Sequence, residues 1–174
     1  MKHKALVVGL LTGIMTTGIL GSVLAHNHHL VTTSKAGPIK RGETTFDEAK
    51  DWFGQPTRKN RHPYQCITVI DARWSGRLRI MFEVFQGEKT AMVAIVKKET
   101  LESEEHGELR PHTKKGLHIG DRASELRNKY PNATLHEHDG YNHHILVSNG
   151  RGKLEATTAD GRVTQLRTFP YEAC

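Results

Sequence analysis

Gly37-Pro-Ile-Lys-Arg-Gly42, followed after Glu43 by Thr44-Thr-Phe-Asp-Glu-Ala-Lys-Asp-Trp-Phe53-Gly-Gln-Pro56, is answered later in the chain. The second segment reads Gly116-Leu-His-Ile-Gly120, then Asp121-Arg-Ala-Ser-Glu-Leu-Arg-Asn-Lys-Tyr130-Pro131. In the first, Phe46, Ala49 and Phe53 fall at i, i+3 and i+7, the apolar stripe of a short amphipathic helix. In the second, Ala123, Leu126 and Tyr130 have the same spacing, each displaced by 77 residues. Thr45 with Glu48 forms a capping box, Asp121 is placed to cap the second helix, and Gly54, Pro56 and Pro131 supply the stops. Helices of two to three turns do not stand alone in water, so each stripe needs a surface to pack on.

That surface is a sheet. After the first helix, Gln65–Ala72, Leu78–Phe85 and Ala91–Val96 read as strands, separated by Ser75-Gly76 and Gln86-Gly87-Glu88-Lys89. After the second, Thr134–His138, His143–Ser148, Lys153–Thr157 and Val163–Thr168 read likewise. Asp139-Gly140, Asn149-Gly150 and Asp160-Gly161 lie between them, pairs suited to the positive φ of tight hairpins. The expected class is therefore α+β: two tandem units, each a short helix packed on an antiparallel β-meander, joined by a disulfide. The expected organisation is a signal peptide over 1–25, a flexible His-rich segment over 26–36, a first unit over 37–101, a charged connector over 102–115 and a second unit over 116–174.

The two glycine-bounded, helix-capped segments resemble the small exported modules of the BamE/SmpA type. A tandem pair at this period is similar to the architecture of β-lactamase inhibitory protein, and to a set of bacterial exported proteins with a terminal Cys. The resemblance implies a binding module. β-lactamase inhibitory protein has more cysteines and an aromatic-rich concave face. With two tryptophans and four tyrosines here, no inhibitor residue is carried over.

Export follows from the N-terminus. Lys2 and Lys4 precede an apolar run from Ala5 to Leu24, which closes on Val23-Leu24-Ala25 before the polar His26-Asn27-His28-His29. Cleavage there leaves about 150 residues, one ordinary domain. The competing reading is an uncleaved membrane anchor, the only membrane attachment the sequence offers. In an oxidising compartment the two cysteines, Cys66 and Cys174, are expected to bridge.

Charge excludes little. Loss of Lys2 and Lys4 takes the formal net charge from +6 to +4. The basic clusters Arg58/Lys59/Arg61 and Lys114/Lys115 carry no interleaved aromatics, which argues against nucleic acid and leaves an envelope or extracellular protein, or an acidic polymer, as partner. No nucleophile elbow, phosphate loop, Cys-x-x-Cys or His-Glu-x-x-His is present, so no catalytic residue is assigned and no enzyme is expected. A binding surface is expected at Trp74, Arg79, Met81 and Phe85, because Met81 and Phe85 make the second face of their strand unusually apolar. The alternative is metal binding: His136 and His138 on one face, with a facing His143 or His144, flank one hairpin and suit Zn²⁺ or Cu²⁺. No other cofactor is implied.

Overall fold

Seven sequence segments with period-two alternation become eight antiparallel strands, and these merge into one sheet. The computed structural model describes residues 28–64, 66–150 and 152–170. After helix α1 (Phe46–Phe53) the chain forms β4 (Arg58–Tyr64), β5 (Ile67–Trp74), β6 (Leu78–Phe85) and β7 (Glu88–Val96). After helix α2 (Ala123–Lys129) it forms β11 (Thr134–His138), β12 (Tyr141–Asn149), β13 (Gly152–Ala159) and β14 (Arg162–Phe169). Leu166, Arg167 and Thr168 of β14 pair with Val96, Ile95 and Ala94 of β7. The order across the sheet is therefore β11-β12-β13-β14-β7-β6-β5-β4.

This corrects the expected class. The protein is predominantly β, with two short helices laid on one side of a continuous eight-stranded sheet, rather than an α+β pair of separate helix-on-meander units held by a disulfide. The seam is made by backbone hydrogen bonds between β7 and β14, and by a core that runs across it. Phe82, Val96, Leu126 and Leu166, all fully buried, belong to one apolar cluster spanning both halves. The expected Cys66–Cys174 bridge is not found among the described residues, because Cys174 lies outside them; Cys66, in the turn between β4 and β5, is not a free thiol. The signal segment, 1–25, also lies outside the described residues.

The 26–36 segment, expected to be flexible, is ordered from His28 onward. It contributes β1 (Leu30–Val31) and β2 (Lys35–Ala36), followed by β3 (Ile39–Lys40). Val31, Ala36 and Ile39 are almost wholly buried, and a buried Val or Ile contributes about 1.5–3 kcal/mol. The expected connector is likewise built in: β8 (Leu101–Ser103) pairs with β9 (Gly107–Leu109), and β10 (His112–Thr113) runs parallel to β1. Thr168 Oγ1 donates to Thr33 O at 2.9 Å, tying this N-terminal strap to β14 at the seam.

Gly37 is the hinge of the strap. Its φ is +65°, and a Cβ there would stand 2.8 Å from the carbonyl oxygen of His28. Gly42 has a φ of +75° but nothing within 4 Å of a built Cβ. Gly37→Ala is expected to lower the urea-unfolding free energy by about 2 kcal/mol or more, and Gly42→Ala by about 1 kcal/mol, the backbone cost alone.

α1 has the expected capping box: Thr45 N donates to Glu48 Oε2 at 2.7 Å and Glu48 N to Thr45 Oγ1 at 3.2 Å. α2 differs. Its N-cap is Arg122, which gives no side-chain cap. Asp121 Oδ2 instead accepts from His118 N at 2.9 Å and Lys129 Nζ at 3.5 Å.

Candidate functional site

The first residue of each helix explains why the two halves of the inner face differ. Phe46 opens α1 and meets Phe82 edge-on, with ring centroids 5.2 Å apart, while Phe53 meets Trp74 at 6.3 Å. These rings close the space between α1 and the sheet. α2 opens instead on Ala123, and only Leu126 and Tyr130 reach the core. A groove of about 1040 Å³ remains between α2, the β11–β12 hairpin and the β13–β14 turn.

The groove is lined by apolar Leu126, Tyr130 and Leu135 together with polar Asn142, His144 and Thr158, and Leu135 and Tyr141 are each 47% exposed. Its rim carries Arg122, Arg127 and Arg162 against a single carboxylate, Asp160. Arg162 is held by an Nη1 bond to Gly120 O at 2.8 Å. At the base His144 is buried, with Nε2 3.0 Å from Thr158 Oγ1. Burial, then the neighbouring His143 and Arg127, lowers the His144 pKa and favours its neutral form.

The structure does not bring Trp74, Arg79, Met81 and Phe85 together. Trp74 pairs with Leu78, faces the helices, is 5% exposed and donates Nε1–H to Gly54 O at 2.8 Å. Met81 faces the other way and is also buried, in a second cluster with Val69, Met92, Val93 and Ile95. Arg79 grips Asp71 with both arms of its fork, Nε to Oδ1 at 2.8 Å and Nη2 to Oδ2 at 2.9 Å. Burial raises the Asp71 pKa, but the hydrogen bonds and charges of Arg79 and then Arg73 outweigh it and hold that carboxyl below its usual range. Only Phe85, 66% exposed at the β6–β7 turn, stands free on the surface.

The hairpin histidines also part. His136 and His143 are direct cross-strand partners with ring centroids 6.0 Å apart, but His138 stacks on Tyr141 at 4.9 Å. His143 Nε2 lies 3.0 Å from Glu155 Oε2 and against Arg167 Nη2, and Arg167 Nε lies 2.5 Å from the same carboxylate oxygen. Among the described residues no three His, Cys, Asp or Glu side chains are placed to hold a metal ion. Sequence reasoning missed Arg122, Arg127 and Arg162. The one available signal was Ala123 standing where the first helix has Phe46.

Three imidazoles give the fold a pH dependence. His28 has its pKa lowered by burial and then by its stacked neighbour His106, at 4.2 Å. His118 is lowered by burial and then by His112, and His144 as described. A histidine whose pKa is depressed in the fold takes its proton more readily when unfolded. Stability is therefore full above about pH 6.5 and falls as pH drops through the folded pKa values. Thermal midpoints are expected to decline between pH 7.5 and 5.5, and His144→Gln to flatten part of that slope. A second decline, below about pH 4, is expected as Asp71 and Glu155 protonate, since both carboxyls sit below their usual range in the fold.

No helix among the described residues is long and apolar enough to cross a membrane. No known protein family matches the chain, and no curated protein does. Two solved structures are similar in part. An extracellular protein containing a SCP domain, from Bacillus anthracis str. Ames, shares 10% identity over 81% of this chain and 47% of its own, with a TM-score of 0.42. This chain thus spans about half the length of that protein. A beta-lactamase inhibitor-like protein from Streptococcus mutans shares 15% identity over 88% of this chain and 98% of its own, with a TM-score of 0.31. Neither overlap assigns a family or a function, and no match relates the chain to the BamE/SmpA type.

Proposed function

We propose that the chain is an exported, non-catalytic binding module that holds an acidic stretch of a partner protein in the groove between α2 and the β11–β12 hairpin. The observation that carries this is the set of three guanidiniums, Arg122, Arg127 and Arg162, lining a groove of mixed polar and apolar residues with one carboxylate, Asp160. The guanidinium fork matches a carboxylate bidentately, so three of them converging on one cleft suit an acidic ligand. Thr158 and His144 form a hydrogen-bonded hydroxyl–imidazole pair in the groove. Both are almost fully buried, at 4% and 6% exposure, which favours a structural hydrogen bond over a reacting nucleophile. Export rests on the Lys2/Lys4 and Ala5–Leu24 pattern.

Titration calorimetry with a decamer of glutamate tests the reading. Arg122→Glu combined with Arg127→Glu is expected to weaken binding about 30-fold or more, the equivalent of about 2 kcal/mol. Both residues are exposed, so the fold is expected to remain. Affinity is also expected to fall between about 0.05 and 0.3 M salt, as the Debye length shortens through about 10 Å and screens an ion-paired complex. Equal binding by the double variant, or no binding by the wild type, would overturn the assignment.

A further inference from the structure

The two edges of the sheet are built differently. β4, at one end, reads Arg58-Lys-Asn-Arg-His-Pro-Tyr64. Basic side chains and a proline are the usual protection of an edge strand against pairing with another chain. β11, at the other end, reads Thr134-Leu-His-Glu-His138, with no lysine, arginine or proline and Glu137 as its one charged residue. All five of its residues are exposed, and among the described residues no strand lies beyond it.

The unguarded edge is also the wall of the groove. Leu135 pairs with His144, so these two share the inner face on which the groove lies, while His136 and His143 share the outer one. A strand added to β11 would run about 4.8 Å further out and project alternate side chains to that inner face. Those side chains would stand beside the half-exposed Leu135, on the side of the groove where Arg127 acts on His144. Backbone pairing with β11 would supply affinity, and alternate side chains meeting Arg127 would supply selectivity, the division of labour in strand addition.

We propose that the acidic partner segment binds as a ninth strand on β11, in an extended conformation with carboxylates at alternate positions. This rests on the groove reading above: the charge complementarity of the rim names the occupant, and the free edge names its conformation.

The probe is the peptide acetyl-Glu-Val-Glu-Val-Glu-Val-Glu-amide, compared with the same peptide N-methylated at every internal amide. N-methylation removes the backbone donors and leaves every charge in place. The parent peptide is expected to bind the full chain at least 10-fold more tightly than its methylated analogue, and to slow amide hydrogen exchange over Thr134–His138. Equal binding of the two peptides would overturn strand addition while leaving the groove reading intact. So would a polyuronate, which has no amides, if it bound as tightly as the parent. Failure of both peptides to bind would remove the groove reading, and this inference with it.

Discussion

Trp74→Ala is expected to destabilise the protein by about 3–5 kcal/mol, the cost of deleting a large buried aromatic side chain. The ring is 5% exposed, meets Phe53 at 6.3 Å and donates its indole N–H to the carbonyl at the end of α1. Truncation would open a cavity under α1 and leave Gly54 O without its partner. Phe85→Ala, at a side chain 66% exposed, is expected to change stability by no more than about 0.5 kcal/mol. Denaturant unfolding of the two variants side by side checks both. A small effect at Trp74 would mean that the indole faces solvent and that the inner core is misplaced.

Glu155→Ala is expected to cost about 3 kcal/mol, the low end for breaking a buried ion pair. The Glu155 side chain is 7% exposed and takes contacts from Arg167 and His143. Burial pushes its pKa up, but the His143 hydrogen bond and the Arg167 charge bring it below the usual carboxylate range. Without the carboxylate, the Arg167 guanidinium would lie against His143 on a half-buried surface. Arg167 retains 24% exposure and so part of its hydration, which is why the loss is placed no higher. Adding Arg167→Leu to the Glu155 variant is expected to restore part of the loss in a double-mutant cycle. Full additivity would show that the pair is not coupled.

Local periodicity revealed the helices and most strands, because their signals lie within ten residues. Thr45 and Glu48 located α1, and Leu78–Phe85 and Thr134–His138 coincide with β6 and β11. β4 was invisible because an edge strand guarded by Arg58, Lys59, Arg61 and Pro63 carries no apolar alternation. The strands of the strap, two residues each, are too short to show a period. The joining of β7 to β14 depends on pairing across about 70 residues of chain, which no local pattern encodes.

The face assignments failed for a different reason. Trp74 pairs with Leu78 across the Ser75-Gly76 turn and so belongs to the apolar row, which hairpin register alone would have shown. Met81 did fall on the opposite face, as alternation required, but that face is covered by its own cluster with Tyr64, Ile67 and Phe169 packed against it. Two-sided apolar character on a central strand marked a second core rather than an exposed patch.

The central claim, that recognition takes place in the basic groove, is tested most directly by mapping a bound acidic peptide onto the backbone. In a titration of ¹⁵N-labelled protein with deca-glutamate, the account predicts amide shifts concentrated in Arg122–Tyr130, Thr134–His144 and Thr158–Arg162. Shifts confined to the outer face around Arg79, Met81 and Glu155, with the groove amides unmoved, would contradict it.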